Sequence, residues 1–104
     1  MKALITNPRK RSERVFLVGV ELKSRDAAAV RDSLDELGEL AVTAGGEVVG
    51  DGTQKMESLN AATFIGKGKA GEFADFCRSN AVDTVIFDDE LSPAQSRNLE
   101  KILD

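Results

Sequence analysis

Apolar positions along the chain fall into short unbroken runs and longer stripes at helical spacing. Val15-Phe16-Leu17-Val18-Gly19-Val20 is an almost continuous apolar run. Such a run suits a strand buried on both faces, as in the middle of a parallel sheet. After Asp26, a good N-cap, apolar residues recur at Val30, Leu34, Leu37, Ala41 and Ala44. Those spacings make one stripe on a helix, which Gly45-Gly46 ends. Val48-Val49 opens a second strand that runs to about Lys55. A polar, small-residue connection, Met56 to Ala62, leads to Thr63-Phe64-Ile65, read as a short third strand. Gly66-Lys67-Gly68-Lys69-Ala70-Gly71 then leads into a helix with Phe73, Phe76 and Cys77 on one face, ending near Asn80. Thr84-Val85-Ile86-Phe87 is the fourth strand, left by Asp88-Asp89-Glu90. Ser92, Pro93 and Gln95 stand as N-cap, N1 and N3 of a last helix, a capping box, and Leu99, Ile102 and Leu103 give it an apolar face.

The predicted order is β-α-β-β-α-β-α. Strands separated by helices are expected to run parallel through right-handed crossovers. The expected fold is therefore α/β: a small, mostly parallel sheet of about four strands flanked by helices. Residues 1–13, with Pro8 and the run Arg9-Lys10-Arg11, read as a basic, flexible tail before a single domain at 14–104. In an open parallel sheet ligands collect beyond the carboxyl ends of the strands. Here that edge would carry Lys23, Arg25, Lys67 and Lys69 beside Asp88, Asp89 and Glu90.

Composition narrows the chemistry. The chain has no histidine and one cysteine, Cys77. That removes imidazole bases, histidine or multi-thiolate metal sites and an internal disulfide. No nucleophile–base pair stands out, so no catalytic residue and no metal site are assigned. Net charge is −4, but residues 1–25 carry seven basic and two acidic residues while the remainder carries seven basic and sixteen acidic. No apolar run is long enough to span a membrane.

The run GKGKAG spells G-x-G-x-x-G, the pattern of a dinucleotide-binding turn, and Asp88 lies 22 residues beyond Gly66, where a ribose-binding acid is expected. Neither lysine fits the phosphate loop G-x-x-x-x-G-K-[ST], and the pattern usually belongs to a first βαβ unit. The other reading is a tight strand-to-helix turn that presents two lysines.

Three stretches, VVGDGTQK (Val48–Lys55), TFIGKGKAG (Thr63–Gly71) and IFDDELSPAQSRNL (Ile86–Leu99), resemble the N-terminal domain of HflX-type GTPases from about Glu13 to Asp104. The resemblance implies a cytoplasmic, translation-associated GTPase that acts on the large ribosomal subunit, with some members splitting ribosomes under stress. It implies an α/β domain that approaches ribosomal RNA and is followed by a helical hairpin and a GTPase domain. The expectation is a ribosome-binding and regulatory module, not itself an enzyme, with no cofactor of its own. GTP and magnesium would belong to the GTPase domain, whose phosphate-binding loop and guanine-specificity motif do not occur in these residues. Two alternatives stand beside it: a nucleotide-binding domain using GKGKAG, or a structural domain packing on its own GTPase domain. The contact candidates are Gly66, Lys67, Gly68, Lys69, Asp88, Arg97 and Asn98, with Ser92 and Gln95 read as helix caps.

Overall fold

The computed structural model describes residues 2–3 and 12–103. The elements are β1 (Lys2–Ala3), β2 (Arg14–Glu21), α1 (Ala27–Thr43), β3 (Glu47–Lys55), α2 (Lys67–Ser79), β4 (Thr84–Phe87) and α3 (Pro93–Leu103). The sheet has the order β1-β4-β2-β3. β2 pairs in parallel with both β3 and β4, and β1 pairs antiparallel with β4, Lys2 opposite Phe87.

The long apolar run became the central strand, as its double-sided burial requires. Phe16, Val18 and Val20 enter a core built with Phe73, Ala74 and Cys77 of α2 and Leu99 and Leu103 of α3. Val15 and Leu17 face the other way, against Val30, Leu34, Leu37 and Ala41 of α1. The domain is thus three-layered: one helix, the sheet, then two helices. Asp26 Oδ1 accepts from the Ala29 N–H and caps α1 at its start. At the other end Gly45 takes φ +96°, and the Gly46 N–H returns to the Ala41 carbonyl.

Two expectations needed correction. Thr63-Phe64-Ile65 is not a strand. Oδ1 of Asn60 accepts from the backbone N–H groups of Ala62 and Thr63, which folds the segment into a turn. Phe64 sits there at φ +64°, held by paired backbone bonds with Asn60. The apolar triplet reflects burial, not extension: Phe64 and Ile65 drop into the core, and Phe64 meets Phe87 edge to face at 5.6 Å between centroids. The second correction concerns the sheet: with Thr63–Ile65 out of it, its remaining strand is β1, antiparallel to β4. The basic run Arg9-Lys10-Arg11 lies outside the described residues.

The glycines of VVGDGTQK are packing positions. A Cβ on Gly50 would stand 2.9 Å from Phe76 Cζ, and one on Gly52 would stand 2.4 Å from Phe73 Cε1. Alternate glycines on β3 make the trough into which the α2 aromatics settle, with Phe16 between them.

Candidate functional site

Among the described residues, α1, α2 and α3 each begin where a parallel strand or its following loop leaves the carboxyl edge of the sheet, so their N-termini gather on one rim. Gly66 is the N-cap of α2, with an ordinary extended backbone (φ −63°, ψ 148°) and no side chain to cap with. Its N–H donates to Gln54 Oε1 of β3 at 2.9 Å. The first intrahelical bond runs from the Ala70 N–H to the Gly66 carbonyl. The amides of Lys67, Gly68 and Lys69 therefore form the unpaired first turn, and no acidic residue shares it. Lys67 is exposed. Lys69 is half-buried, its Nζ 3.7 Å from Glu72 Oε2 and 5.7 Å from the centroid of the Phe73 ring.

This geometry differs from both sequence readings of GKGKAG. No strand precedes it, and five of its six residues are already helix. None of its glycines has a positive φ. A Cβ on Gly68 or Gly71 would meet nothing within 4 Å, so these two glycines are not needed for packing. The strand–turn–helix context that gives the dinucleotide fingerprint its meaning is missing.

α3 contributes the capping box read from the sequence. The Ser92 N–H donates to Gln95 Oε1 at 2.8 Å, and the Gln95 N–H to Ser92 Oγ at 3.1 Å. Gln95 does more than cap: its Nε2 donates to the Asn60 carbonyl at 2.9 Å. Three residues on, Asn98 Nδ2 donates to the Ala62 carbonyl at 2.9 Å. Asn98, a contact candidate, thus ties α3 to the turn ahead of α2, whereas Arg97 is exposed. Asn60 and Gln54 hold this arrangement together, and sequence reasoning passed over both. The only signal was their place inside or beside the matched stretches.

Asp88 does not join the lysines. It belongs to the α1 face, where its Oδ2 would lie 3.2 Å from a Cβ placed on Gly19. Its side chain is 1% exposed, and Nη1 of Arg25 lies 2.8 Å from Oδ2. Neither carboxylate oxygen has a well-formed hydrogen bond, so Arg25 supplies charge without replacing the lost water. Burial pushes the Asp88 carboxyl above its ordinary value, and Arg25 pulls it back in part. Of the mixed-charge rim, Arg25 and Asp88 therefore neutralise each other. Among the described residues no group of three or more His, Cys, Asp or Glu side chains could hold a metal ion, and no helix is long and apolar enough to cross a membrane.

Residues 31–104 match the model of a protein family described as GTP-binding GTPase N-terminal. The chain belongs to this family, the N-terminal domain of HflX-type GTPases. It is 42% identical over 92 residues to a GTPase HflX of Flavobacterium psychrophilum, covering 88% of this chain and 22% of that protein. It is 45% identical over 91 residues to a GTPase HflX of Caldanaerobacter subterraneus subsp. tengcongensis, with 88% and 20% covered. Against the GTPase HflX of Escherichia coli the figures are 37% over 71 residues, with 68% and 17% covered. The chain spans about a fifth of the length of these relatives. In this HflX-type domain Ser92, Gln95 and Asn98 are engaged in holding the fold, and Lys67, Gly68 and Arg97 face outward.

Proposed function

We propose that this domain is the ribosome-binding and regulatory module of an HflX-like, translation-associated GTPase acting in the cytoplasm on the large ribosomal subunit. The observation that carries the reading is the first turn of α2. Unpaired backbone N–H groups, the positive end of the helix, exposed Lys67 and the open surface at Gly68 are all suited to a phosphate of ribosomal RNA. Three devices fix that turn from behind: Gln54 on Gly66, the Asn60 turn, and the α3 amides of Gln95 and Asn98. The rest of the proposed protein supplies GTP hydrolysis with its magnesium, because this chain has no G-x-x-x-x-G-K-[ST] loop.

Co-sedimentation with purified large ribosomal subunits across a salt series tests the reading. Binding should fall with salt. Lys67→Ala/Lys69→Ala should weaken it and shallow the salt dependence by about two phosphate contacts. Binding indifferent to salt and to the substitutions removes α2 from the account.

A second reading, docking of this domain on its own GTPase domain, is favoured by a different observation. Leu40 and Val42 near the end of α1 are 51% and 59% exposed, on the opposite side of the sheet from α2 and α3.

A further inference from the structure

The sheet ends differently on its two sides. One edge is β1, a strand of two residues. The other is β3, nine residues long and without proline. Short strands and prolines are common guards against pairing with another chain, and β3 has neither.

Alternation along β3 decides which backbone groups this edge presents. The Met56 N–H donates to the Glu21 carbonyl of β2. Counting back in twos, Gln54 and Gly52 also turn their N–H and C=O groups to β2, and Lys55, Thr53 and Asp51 turn theirs outward. Among the described residues no strand pairs with β3 on that side. Asp51, Thr53 and Lys55 are all exposed. Little else stands out from the strand: Gly52 has no side chain, and Gln54 Oε1 is turned back to accept the Gly66 N–H at 2.9 Å.

The remaining guard is charge, and its order is self-complementary. Asp51 and Lys55 lie symmetrically about Thr53. In an antiparallel pair centred on Thr53, Asp51 stands opposite Lys55 of the second copy, and the two threonines stand opposite each other. Both are favourable cross-strand pairs. Arg31 already holds Asp51, at 2.7 Å from Oδ2 and 3.2 Å from Oδ1. That leaves room for a lysine, because a carboxylate accepts about four hydrogen bonds.

We infer that β3 pairs antiparallel with β3 of a second copy of this chain, Thr53 opposite Thr53, joining two four-stranded sheets into one. Asp51, Thr53 and Lys55 of the two copies then share about six backbone hydrogen bonds. The helices permit it. Thr53 lies beside Ala27 and Arg31, at the start of α1. The two α1 helices therefore meet only at their first turns, where Ala27 is small. Asp35, Glu36 and Glu39 run away from the two-fold axis, so the acidic stretches do not face each other. The inference does not rest on the ribosome reading.

The test is sedimentation equilibrium of the 104-residue chain from micromolar to millimolar concentration, with amide hydrogen exchange at both ends of that range. The contact is small, so the dimer is expected toward the upper end. The amides of Asp51, Thr53 and Lys55 should exchange about tenfold or more slowly as it forms. Thr53→Pro removes the central donors but leaves the β2 ladder whole, because that N–H points outward; it should fold and weaken the dimer about tenfold or more. Asp51→Lys and Lys55→Asp each set like charges opposite each other and should each stay monomeric. Mixed together they should associate, since every cross-strand pair is again of opposite charge. The inference is overturned if the chain stays monomeric at millimolar concentration, if Thr53→Pro associates like the unaltered chain, or if the two charge variants fail to associate on mixing. Slow exchange at these amides with no rise in mass would also overturn it, because another segment of the same chain would then cover the edge.

Discussion

Nε2 of Gln95, in the first turn of α3, donates to the carbonyl of Asn60, 35 residues earlier, at 2.9 Å. One side chain thereby closes its own helix's capping box and clamps the turn from which α2 starts. The lysines of α2 are positioned by residues that do not touch them.

Gln95→Ala should lose both roles. A cap is worth ~1 kcal/mol and a buried hydrogen bond a similar amount, so the loss should be about 2 kcal/mol in chemical denaturation. Gln95→Glu keeps the acceptor for the Ser92 N–H and removes the donor to Asn60, and should fall between. Equal losses for the two variants would show that the link to Asn60 carries the whole effect.

The glycines should divide into two classes. Gly52→Ala places a methyl group 2.4 Å from Phe73 Cε1, and overpacking of this kind costs about 1–3 kcal/mol. Gly68→Ala meets nothing and lies inside a helix, where it should stabilise by up to ~1 kcal/mol. If Gly68→Ala stabilises the domain yet weakens ribosome co-sedimentation, that glycine serves close approach of a ligand and not the fold. Thermal melts beside the binding assay decide it.

Asp88 should make stability depend on pH. Its carboxyl holds its proton to higher pH when folded than when unfolded, because burial disfavours the charge. Its contribution is therefore most favourable below the unfolded value, near pH 4, and is lost as pH rises through the raised folded value. Asp88→Asn should flatten that fall. At neutral pH the variant should melt at or above the wild-type temperature, since Arg25 can still reach water. An unchanged fall in the variant would assign the pH dependence to other groups.

Cys77 should be inert in the folded chain. It is buried in the α2 core, and burial pushes its thiol up to about 11. Alkylation at pH 8 should be at least a hundredfold slower than in denaturant. Labelling at a rate near that of a free thiol would mean that α2 opens readily.

The sequence by itself determined the α/β class, the parallel relation of β2, β3 and β4, the limits and caps of α1 and the Ser92–Gln95 box. Each of these is a local matter: burial on two faces, helical spacing, one N-cap side chain. The family was legible too, because long matched stretches carry more information than any single contact. What only the tertiary structure decided depends on residues far apart in the chain. Phe64 reads as strand because it is apolar, yet Asn60 and the space beside Phe87 make it a turn. Asp88 reads as an edge acid, yet the pleat that sends Phe87 to the α2 side sends Asp88 to the α1 side, beneath Arg25. Gly50 and Gly52 fall inside the predicted second strand, but only Phe73 and Phe76 show why those strand positions are glycine: they are the floor of a packed trough. The uneven cover of the sheet, with two helices against one, is a property of the assembled layers, and no stretch of sequence contains it.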